Sequence, residues 1–171
     1  LAFKIYHDVS KNLPIGKLIE LSLIKNSNVL GPKDILLSSQ GEIIGFVMKY
    51  VTDTIFLCWL FNKGYKDQNN ISFDIITSLC LDMKKTTKDI HSDGFVIGDY
   101  NEMNFLTGKK YESVYFIDVD SYQTKNYKCT AIMDTVRDRN VPFGTFNTST
   151  DWFGYAVVTF QLWTGIHPYR G

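Results

Sequence analysis

Three polar residues in the middle of the chain are of types that can take part in phosphoryl transfer. Asp99 and Asn104 lie in the stretch 97–104, which reads IGDYNEMN, and Asp118 directly follows the apolar run 114–117. Aspartate and asparagine oxygens are hard ligands of the kind that Mg²⁺ prefers, and a carboxylate can accept the proton of an incoming hydroxyl. We therefore interpret Asn104 and Asp118 as metal ligands and Asp99 as a catalytic residue.

A lysine and a glutamate near the start of the chain extend this pattern. Lys4 would supply a positive charge to nucleotide phosphates, and Glu20, the only carboxylate between Asp8 and Asp34, would orient it through an ion pair. Each residue also has a simple structural interpretation, because strand lysines and helix glutamates are usually solvated, and loop Asp and Asn residues commonly cap turns. Taken together at these spacings, the five residues favour a nucleotide site.

The composition is typical of a soluble globular protein and argues against several classes of function. Lys and Arg together number 18, as do Asp and Glu, so we expect neither nucleic acid nor a membrane as a partner. Three scattered cysteines favour a reduced compartment. The longest apolar run, 55–61, is too short to span a bilayer. We therefore expect a cytoplasmic protein, and a piece of a larger one with further domains.

The elements that must position these residues follow an α+β order. Residues 69–72 offer helix-capping side chains, residues 149–151 offer a second set, and Gly165 is placed to end the last helix. The run 53–61 is ambiguous, because it could be a short buried helix, and 91–106 is predicted to be mostly loop. Hydrophobic periodicity predicts strands over 1–6, 34–38, 42–50 and 114–117, and helices over 15–25, 73–90 and 152–164.

Several motifs, in the same order along nearly the whole chain, resemble those of eukaryotic-type protein kinases. The resemblance is strongest to a divergent group of bacterial and viral kinase-like domains with GDxNxxN and IDxDS[FY]Q motifs. The matching segments are 98–104 (GDYNEMN), 117–123 (IDVDSYQ), 1–4 (LAFK, like the third-strand VAIK), 48–51 (MKYV, like the hinge), 91–94 (HSDG, like the end of the helix before the catalytic loop), 151–154 (DWFG, like the central large-lobe helix) and 165–169 (GIHPY, like the segment behind it).

This resemblance implies a protein kinase-like two-lobed fold that is truncated at both ends. Residues 1–51 would form part of the small, β-rich N-lobe, and residues 52–171 would form part of the mostly helical C-lobe. ATP and Mg²⁺ are the implied cofactors. The adenine would lie between Ala2 and Leu106, beside Met48, and would bond the main chain of Lys49 and Val51. An apolar spine would run through Ile24, Ile97 and Val119, with Asp151 anchoring its base.

The chain also departs from the kinase pattern inside the same motifs. Ile97-Gly98 replaces the usual His-Arg, and Asn101 replaces the lysine expected two residues after Asp99. Asp120 replaces the glycine of the D-F-G segment, where it could be a further metal ligand or could cap the turn. No A-P-E segment follows.

Two functions remain open on the sequence alone. The first is an ATP- and Mg²⁺-dependent phosphotransferase, similar to protein Ser/Thr kinases, which transfers the γ-phosphate to a hydroxyl of a protein substrate. The alternative is a pseudokinase or regulatory interaction module that retains nucleotide binding without transfer. The five polar residues favour the first function, whereas the departures from the kinase pattern favour the second.

Overall fold

The computed structural model describes residues 1–8 and 12–170. The element order is mixed, which agrees with the α+β prediction. The strands are β1 (Ala2–Ile5), β2 (Asp34–Leu37), β3 (Ile43–Met48), β4 (Thr54–Phe56), β5 (Phe105–Gly108) and β6 (Val114–Phe116), and the helices are α1 (Ile15–Leu21), α2 (Lys63–Gln68), α3 (Phe73–Ser92) and α4 (Thr148–Thr164). Within the described ranges, no helix is long and apolar enough to cross a membrane.

The first sheet is antiparallel and has the order β1-β3-β2. Ala2 is opposite Met48, and Lys4 is opposite Phe46. Because directly opposed residues in an antiparallel pair share one face, these four side chains project from the same side of the sheet. The register therefore puts one cationic side chain on an otherwise apolar face.

The second sheet is also antiparallel and has the order β4-β5-β6. The segment after α1 is hydrogen-bonded to it: the N–H of Leu30 donates to the carbonyl of Phe116, and the N–H of Phe116 donates to the carbonyl of Asn28, both at 2.8 Å. A parallel bridge between Val29 and Phe116 belongs to the same contact. These bonds connect the polypeptide of the first sheet to the last strand of the second.

The main core lies between the second sheet, α3 and α4. Tyr100 is fully buried there, packs on Phe105 with ring centroids 4.8 Å apart, and shares a 2.8 Å hydrogen bond with the hydroxyl of Thr87. Helix α4 approaches this ring closely, because a Cβ on Gly154 would lie 2.6 Å from the Cβ of Tyr100. A side chain at position 154 would force the helix away from the loop that carries Tyr100.

Two helix boundaries differ from the predicted ones for identifiable reasons. Helix α1 ends at Leu21, where the N–H groups of Leu23 and Ile24 form shorter turns to the carbonyls of Glu20 and Leu21, and Asn26 then donates to Asp89 of α3 at 2.7 Å. Helix α4 begins at Thr148 with Asn147 as its N-cap, and Asn147 and Thr150 form a reciprocal capping box. The predicted cap at 149–151 was therefore wrong.

Other elements differ from the predictions in type. The ambiguous run 53–61 forms β4 followed by the 3-10 turn Leu57–Phe61. Part of the predicted loop 91–106 belongs to strand β5, which pairs with both β4 and β6. Helix α2 was not predicted, although the side chain of Asn62 caps it by accepting from the N–H of Tyr65. By contrast, Ser72 caps α3, as the 69–72 pattern predicted.

Candidate functional site

A cavity of about 750 Å³ lies between the two sheets. This volume is in the range of small-molecule sites in proteins. Of the ten residues that the sequence assigned to a nucleotide site, Asp99 and Glu20 lie outside the cavity wall. The other eight line it: Ala2, Lys4, Met48, Lys49, Val51, Asn104, Leu106 and Asp118.

Part of the cavity wall is apolar. The first sheet contributes Ala2, Phe46 and Met48, whose side chains share one face, and the second sheet contributes the directly opposed pair Phe56 and Leu106. Two apolar surfaces on separate sheets suit a flat aromatic ring, because each surface can contact one face of the ring. The structure therefore places the residues predicted to contact adenine around a shared space.

The polar part of the wall is centred on Lys4. Its Nζ lies 2.5 Å from Oδ1 of Asp118 and 3.0 Å from Oδ2 of Asp120. Burial opposes the charge on Lys4, but the attraction of Asp120 and Asp118 outweighs it and raises the pKa of Lys4 above its ordinary value. Lys4 is thus a protonated ammonium group between two carboxylates at neutral pH.

Asp118 lies beyond the end of β6 in an uncommon backbone conformation. Its φ of 56° and ψ of 46° place it in the left-handed region, which few non-glycine residues adopt and which costs roughly 1 kcal/mol or more. Its side chain is 52% exposed. The carboxylate faces the cavity and pairs with Lys4, where a cation in solution can reach it.

Asp120 makes contacts that go beyond those of a turn cap. Its Oδ2 accepts from the hydroxyl of Tyr6 at 3.2 Å in addition to the ammonium group of Lys4, and its main-chain carbonyl accepts from Nζ of Lys17 at 2.5 Å. Its Oδ1 is buried and has no hydrogen-bond partner within the described part of the chain. The carboxylate is thus held on one oxygen and retains acceptor capacity on the other.

Glu20 lies in a different environment from the predicted one. The N–H of Asn126 donates to its Oε2 at 3.2 Å, and the side-chain amide of Asn126 donates to its Oε1. Lys4 and Glu20, both among the described residues, do not form the predicted ion pair. The residue of α1 that bonds Asp120 is Lys17, which is almost fully buried.

Asp99 lies in the loop between α3 and β5, and both of its carboxylate oxygens are hydrogen-bonded. Oδ1 accepts from the N–H of Met133 at 3.0 Å, and Oδ2 accepts from the side-chain amide of Asn101 at 2.7 Å. Burial raises the pKa of Asp99, and these two hydrogen bonds act in the opposite direction without cancelling it. A carboxylate with a raised pKa is better suited to accept a proton than an exposed one.

Asn101, which replaces the lysine expected from the kinase pattern, connects the loop residues. It is 4% exposed, and it accepts from the N–H of Met103 at 2.9 Å while it donates to Asp99. It thereby caps the 3-10 turn that carries Asn104, whose amide in turn donates to the carbonyl of Asp99 at 3.0 Å. The interpretation of loop Asn residues as turn caps, which the sequence offered, is thus confirmed at Asn101.

The loop that carries Asp99 is anchored by Asp151, which is completely buried in the first turn of α4. The carboxylate of Asp151 accepts from the N–H of Ile97 at 2.7 Å and of Gly98 at 2.9 Å, and it lies 2.8 Å from Nε2 of His91. Gly98 has a φ of 75°, and a Cβ there would lie 2.4 Å from Sγ of Cys129. Asp151 therefore anchors this loop at Ile97, one of the residues assigned to the apolar spine.

The residues fit a magnesium ion that is held partly by the protein. Among the described residues, no group of three or more His, Cys, Asp or Glu side chains is arranged to hold a metal. Mg²⁺, however, usually takes one or two protein ligands and completes its shell with water and phosphate oxygens. The exposed carboxylate of Asp118 and the amide oxygen of Asn104, both in the cavity wall, are donors of the required type, whereas Asp120 lies outside that wall with its Oδ1 buried.

Models of known protein families give no match to this chain. Two curated proteins are similar to it, namely Protein kinase YegI of Escherichia coli O157:H7 and Protein kinase YegI of Escherichia coli strain K12. Each is 25% identical over 186 aligned residues, which cover 98% of this chain but only 29% and 28% of the two relatives. This chain is distantly similar to a protein kinase along nearly its whole length.

Proposed function

We propose that this protein binds ATP and Mg²⁺ in the cavity between its two sheets and transfers the γ-phosphate to a hydroxyl group. One observation carries the proposal: eight residues assigned to a nucleotide site line a single cavity, although they come from separate segments around positions 2–4, 48–51, 104–106 and 118. Solvated strand and loop residues with unrelated roles have no reason to converge in this way.

Different cavity residues would contact different parts of the nucleotide. In this proposal the adenine lies between Ala2 and Leu106, and the main chain of Lys49 and Val51 bonds its edge. Lys4 contributes an ammonium group to the α- and β-phosphates, as a point charge suited to phosphate oxygens. Residues 1–51 would then be part of a small lobe and 52–171 part of a larger one, with the cavity as the cleft between them.

The transfer step needs positioning and charge more than covalent chemistry. Asn104 and Asp118 would hold Mg²⁺, which when bound supplies positive charge to the phosphate oxygens. The substrate hydroxyl would attack the γ-phosphorus, ADP would leave, and Asp99 would accept the hydroxyl proton. The raised pKa of Asp99 supports its role as the acceptor.

The distant relatives support a protein hydroxyl as the phosphate acceptor. Both are named protein kinases, and the similarity extends over 98% of this chain. Because the chain spans less than a third of either relative, the substrate and any partner of the whole protein are part of this proposal. We propose a serine or threonine side chain of a protein as the acceptor.

A second candidate function is nucleotide binding without transfer, in a regulatory module. The observation that favours it is the state of Asp99, since Met133 and Asn101 already occupy both carboxylate oxygens. A substrate hydroxyl would have to displace the N–H of Met133 or share an oxygen with it. The absence of a lysine at position 101 also leaves the transferring phosphate with less positive charge.

The two functions are separated by measuring binding and transfer on the same variants. With the intact chain and Mg²⁺, we expect Lys4→Ala and Asp118→Ala each to weaken ATP binding by about tenfold, or about 1.4 kcal/mol, in titration calorimetry. Asp99→Ala should bind ATP normally but transfer no labelled phosphate to the protein itself or to serine- and threonine-containing peptides. Asp67→Ala, an exposed aspartate in α2, is the matched control.

Each outcome of this experiment has a distinct meaning. If the wild-type chain and all three site variants bind ATP equally, the cavity is not the nucleotide site. If the wild-type chain binds ATP, loses it in Asp118→Ala, and transfers no phosphate, the regulatory function is correct and Asp99 has no catalytic role.

A further inference from the structure

Asp120 occupies the position beside Lys4 that the sequence assigned to Glu20. Its Oδ2 lies 3.0 Å from Nζ of Lys4, whereas Glu20 bonds the main-chain and side-chain nitrogens of Asn126. We infer that Asp120, and not Glu20, is the positioning residue that holds the ammonium group of Lys4 toward the phosphates. This inference deepens the proposed function and rests on it, because it assigns a task to Lys4.

Asp118 also pairs with Lys4, but its proposed role as a metal ligand makes it unsuitable for positioning Lys4. Its carboxylate is 52% exposed and is a proposed metal ligand, so a bound cation would compete with Lys4 for the same oxygens. The carboxylate of Asp120 is 19% exposed, so water weakens its attraction to Lys4 less. When a cation occupies Asp118, Asp120 remains as the partner that keeps Lys4 in place.

Asp120 is itself fixed from two sides. The hydroxyl of Tyr6, which directly follows β1, donates to Oδ2, and the buried ammonium group of Lys17 donates to the main-chain carbonyl at 2.5 Å. The preceding residue, Val119, is 1% exposed and belongs to the main core. The carboxylate therefore has little freedom to leave Lys4, as a positioning residue requires.

The expected ion pair would take its anion from helix α1. In the structure, α1 instead contributes a cation, Lys17, and the turn after β6 contributes the anion, Asp120. Two ammonium groups and two carboxylates, those of Asp118 and Asp120, then balance each other. The aspartate at position 120, which departs from the kinase pattern, and the absence of a Lys4–Glu20 pair thus have one physical explanation.

The test compares Asp120→Asn with Glu20→Gln in the intact chain without nucleotide. The pKa of Lys4 is read from the NMR titration of its side-chain Cε. We expect Asp120→Asn to lower this pKa and Glu20→Gln to leave it unchanged, because Asp120, unlike Glu20, contacts the ammonium group. The opposite result, in which Glu20→Gln lowers the pKa of Lys4 and Asp120→Asn leaves it unchanged, would overturn the inference.

Two further variants keep the inference testable if Asp120→Asn folds poorly. Tyr6→Phe removes only the hydroxyl that orients the carboxylate, and Asp120→Glu retains the charge with a longer side chain. We expect Asp120→Asn to weaken binding of MgATP by about tenfold, and Asp120→Glu to retain most of the wild-type affinity. The affinity of Tyr6→Phe should lie between those of the two Asp120 variants. Equal loss in Asp120→Asn and Asp120→Glu would show that the residue supports the turn and does not position Lys4.

The titration also separates failure of this inference from failure of the proposed function. The Lys4 measurement needs no nucleotide, so it decides the role of Asp120 as the partner of Lys4 even in a chain that binds no ATP. Conversely, if binding of MgATP depends on Lys4 but the pKa of Lys4 does not change in Asp120→Asn, the proposed function stands and the positioning role is wrong.

Discussion

At the scale of single residues, the side-chain amide of Asn101 makes two hydrogen bonds with different partners. It donates to the carboxylate of Asp99 at 2.7 Å, and it accepts from the N–H of Met103 at the start of the turn that carries Asn104. A lysine at this position could donate to a carboxylate but could not accept the main-chain N–H. The amide therefore links the candidate proton acceptor and the candidate metal ligand in one hydrogen-bonded unit.

Replacement of Asn101 by alanine should raise the pKa of Asp99 further, because a hydrogen bond that stabilises its ionised form is lost. NMR titration of the Asp99 carboxyl carbon measures this change. The raised pKa means that folding favours protonated Asp99, so stability from this group is present at low pH and is lost as pH rises through the folded-state pKa. The variant should therefore lose more stability at neutral pH than at a pH below the ordinary value of aspartate.

The control for this prediction is Asn26→Ala, which removes a similar 2.7 Å bond from an amide to a different carboxylate, that of Asp89. It should leave the pKa of Asp99 unchanged. A pKa of Asp99 that stays constant in Asn101→Ala would mean that the amide supports only the turn.

At the scale of elements, the first turn of α4 determines where the Asp99 loop lies. Asp151 is fully buried, and its carboxylate satisfies two consecutive main-chain N–H groups, those of Ile97 and Gly98. Helix α4 can reach the loop because Gly154 has no Cβ to meet Tyr100. The loop is thus positioned by hydrogen bonds at one end of the helix and by close packing one turn later.

Substitution Asp151→Ala should destabilise the protein by about 3 kcal/mol, because it leaves two buried N–H groups and His91 without their acceptor. Urea denaturation at neutral pH, followed by circular dichroism, measures the change in free energy of unfolding. Asp67→Ala, at an exposed position, should change it by less than about 0.5 kcal/mol. Similar values for the two variants would contradict the anchoring role of Asp151.

At the scale of the whole molecule, the candidate site exists only where the two sheets meet. Each sheet has three short strands and contributes one part of the cavity wall. The sheets are connected through the segment 28–30, which bonds Phe116, and through the ion pairs of Lys4 with Asp118 and Asp120. A ligand in the cavity would contact both sheets and so would stabilise their relative position.

This arrangement predicts two-sided protection in hydrogen–deuterium exchange followed by mass spectrometry. Addition of MgATP should slow exchange in both β1 and β5, since a bound nucleotide must touch each of them. In Asp118→Ala, the same protection of both strands should require about tenfold more MgATP. Protection confined to one sheet would place the ligand outside the shared cavity.

Much of the local structure could be predicted from neighbouring residues. Ser72 caps α3 and Gly165 ends α4 in the left-handed conformation, as their positions in the sequence indicated. These features depend on hydrogen bonds between residues a few positions apart. Strand β5 was missed because its four residues form a strand only between β4 and β6, which provide its hydrogen-bond partners.

For the candidate site, the sequence by itself determined which residue types are present and in what order, including Lys4, Asp99, Asn104 and Asp118. The tertiary structure decided which carboxylate meets the ammonium group of Lys4. Glu20 was the only carboxylate at a suitable position in α1, but it bonds Asn126, and Asp120 lies beside Lys4 in its place. Ion pairs between distant segments depend on how elements pack, and residue spacing along the chain does not specify that packing.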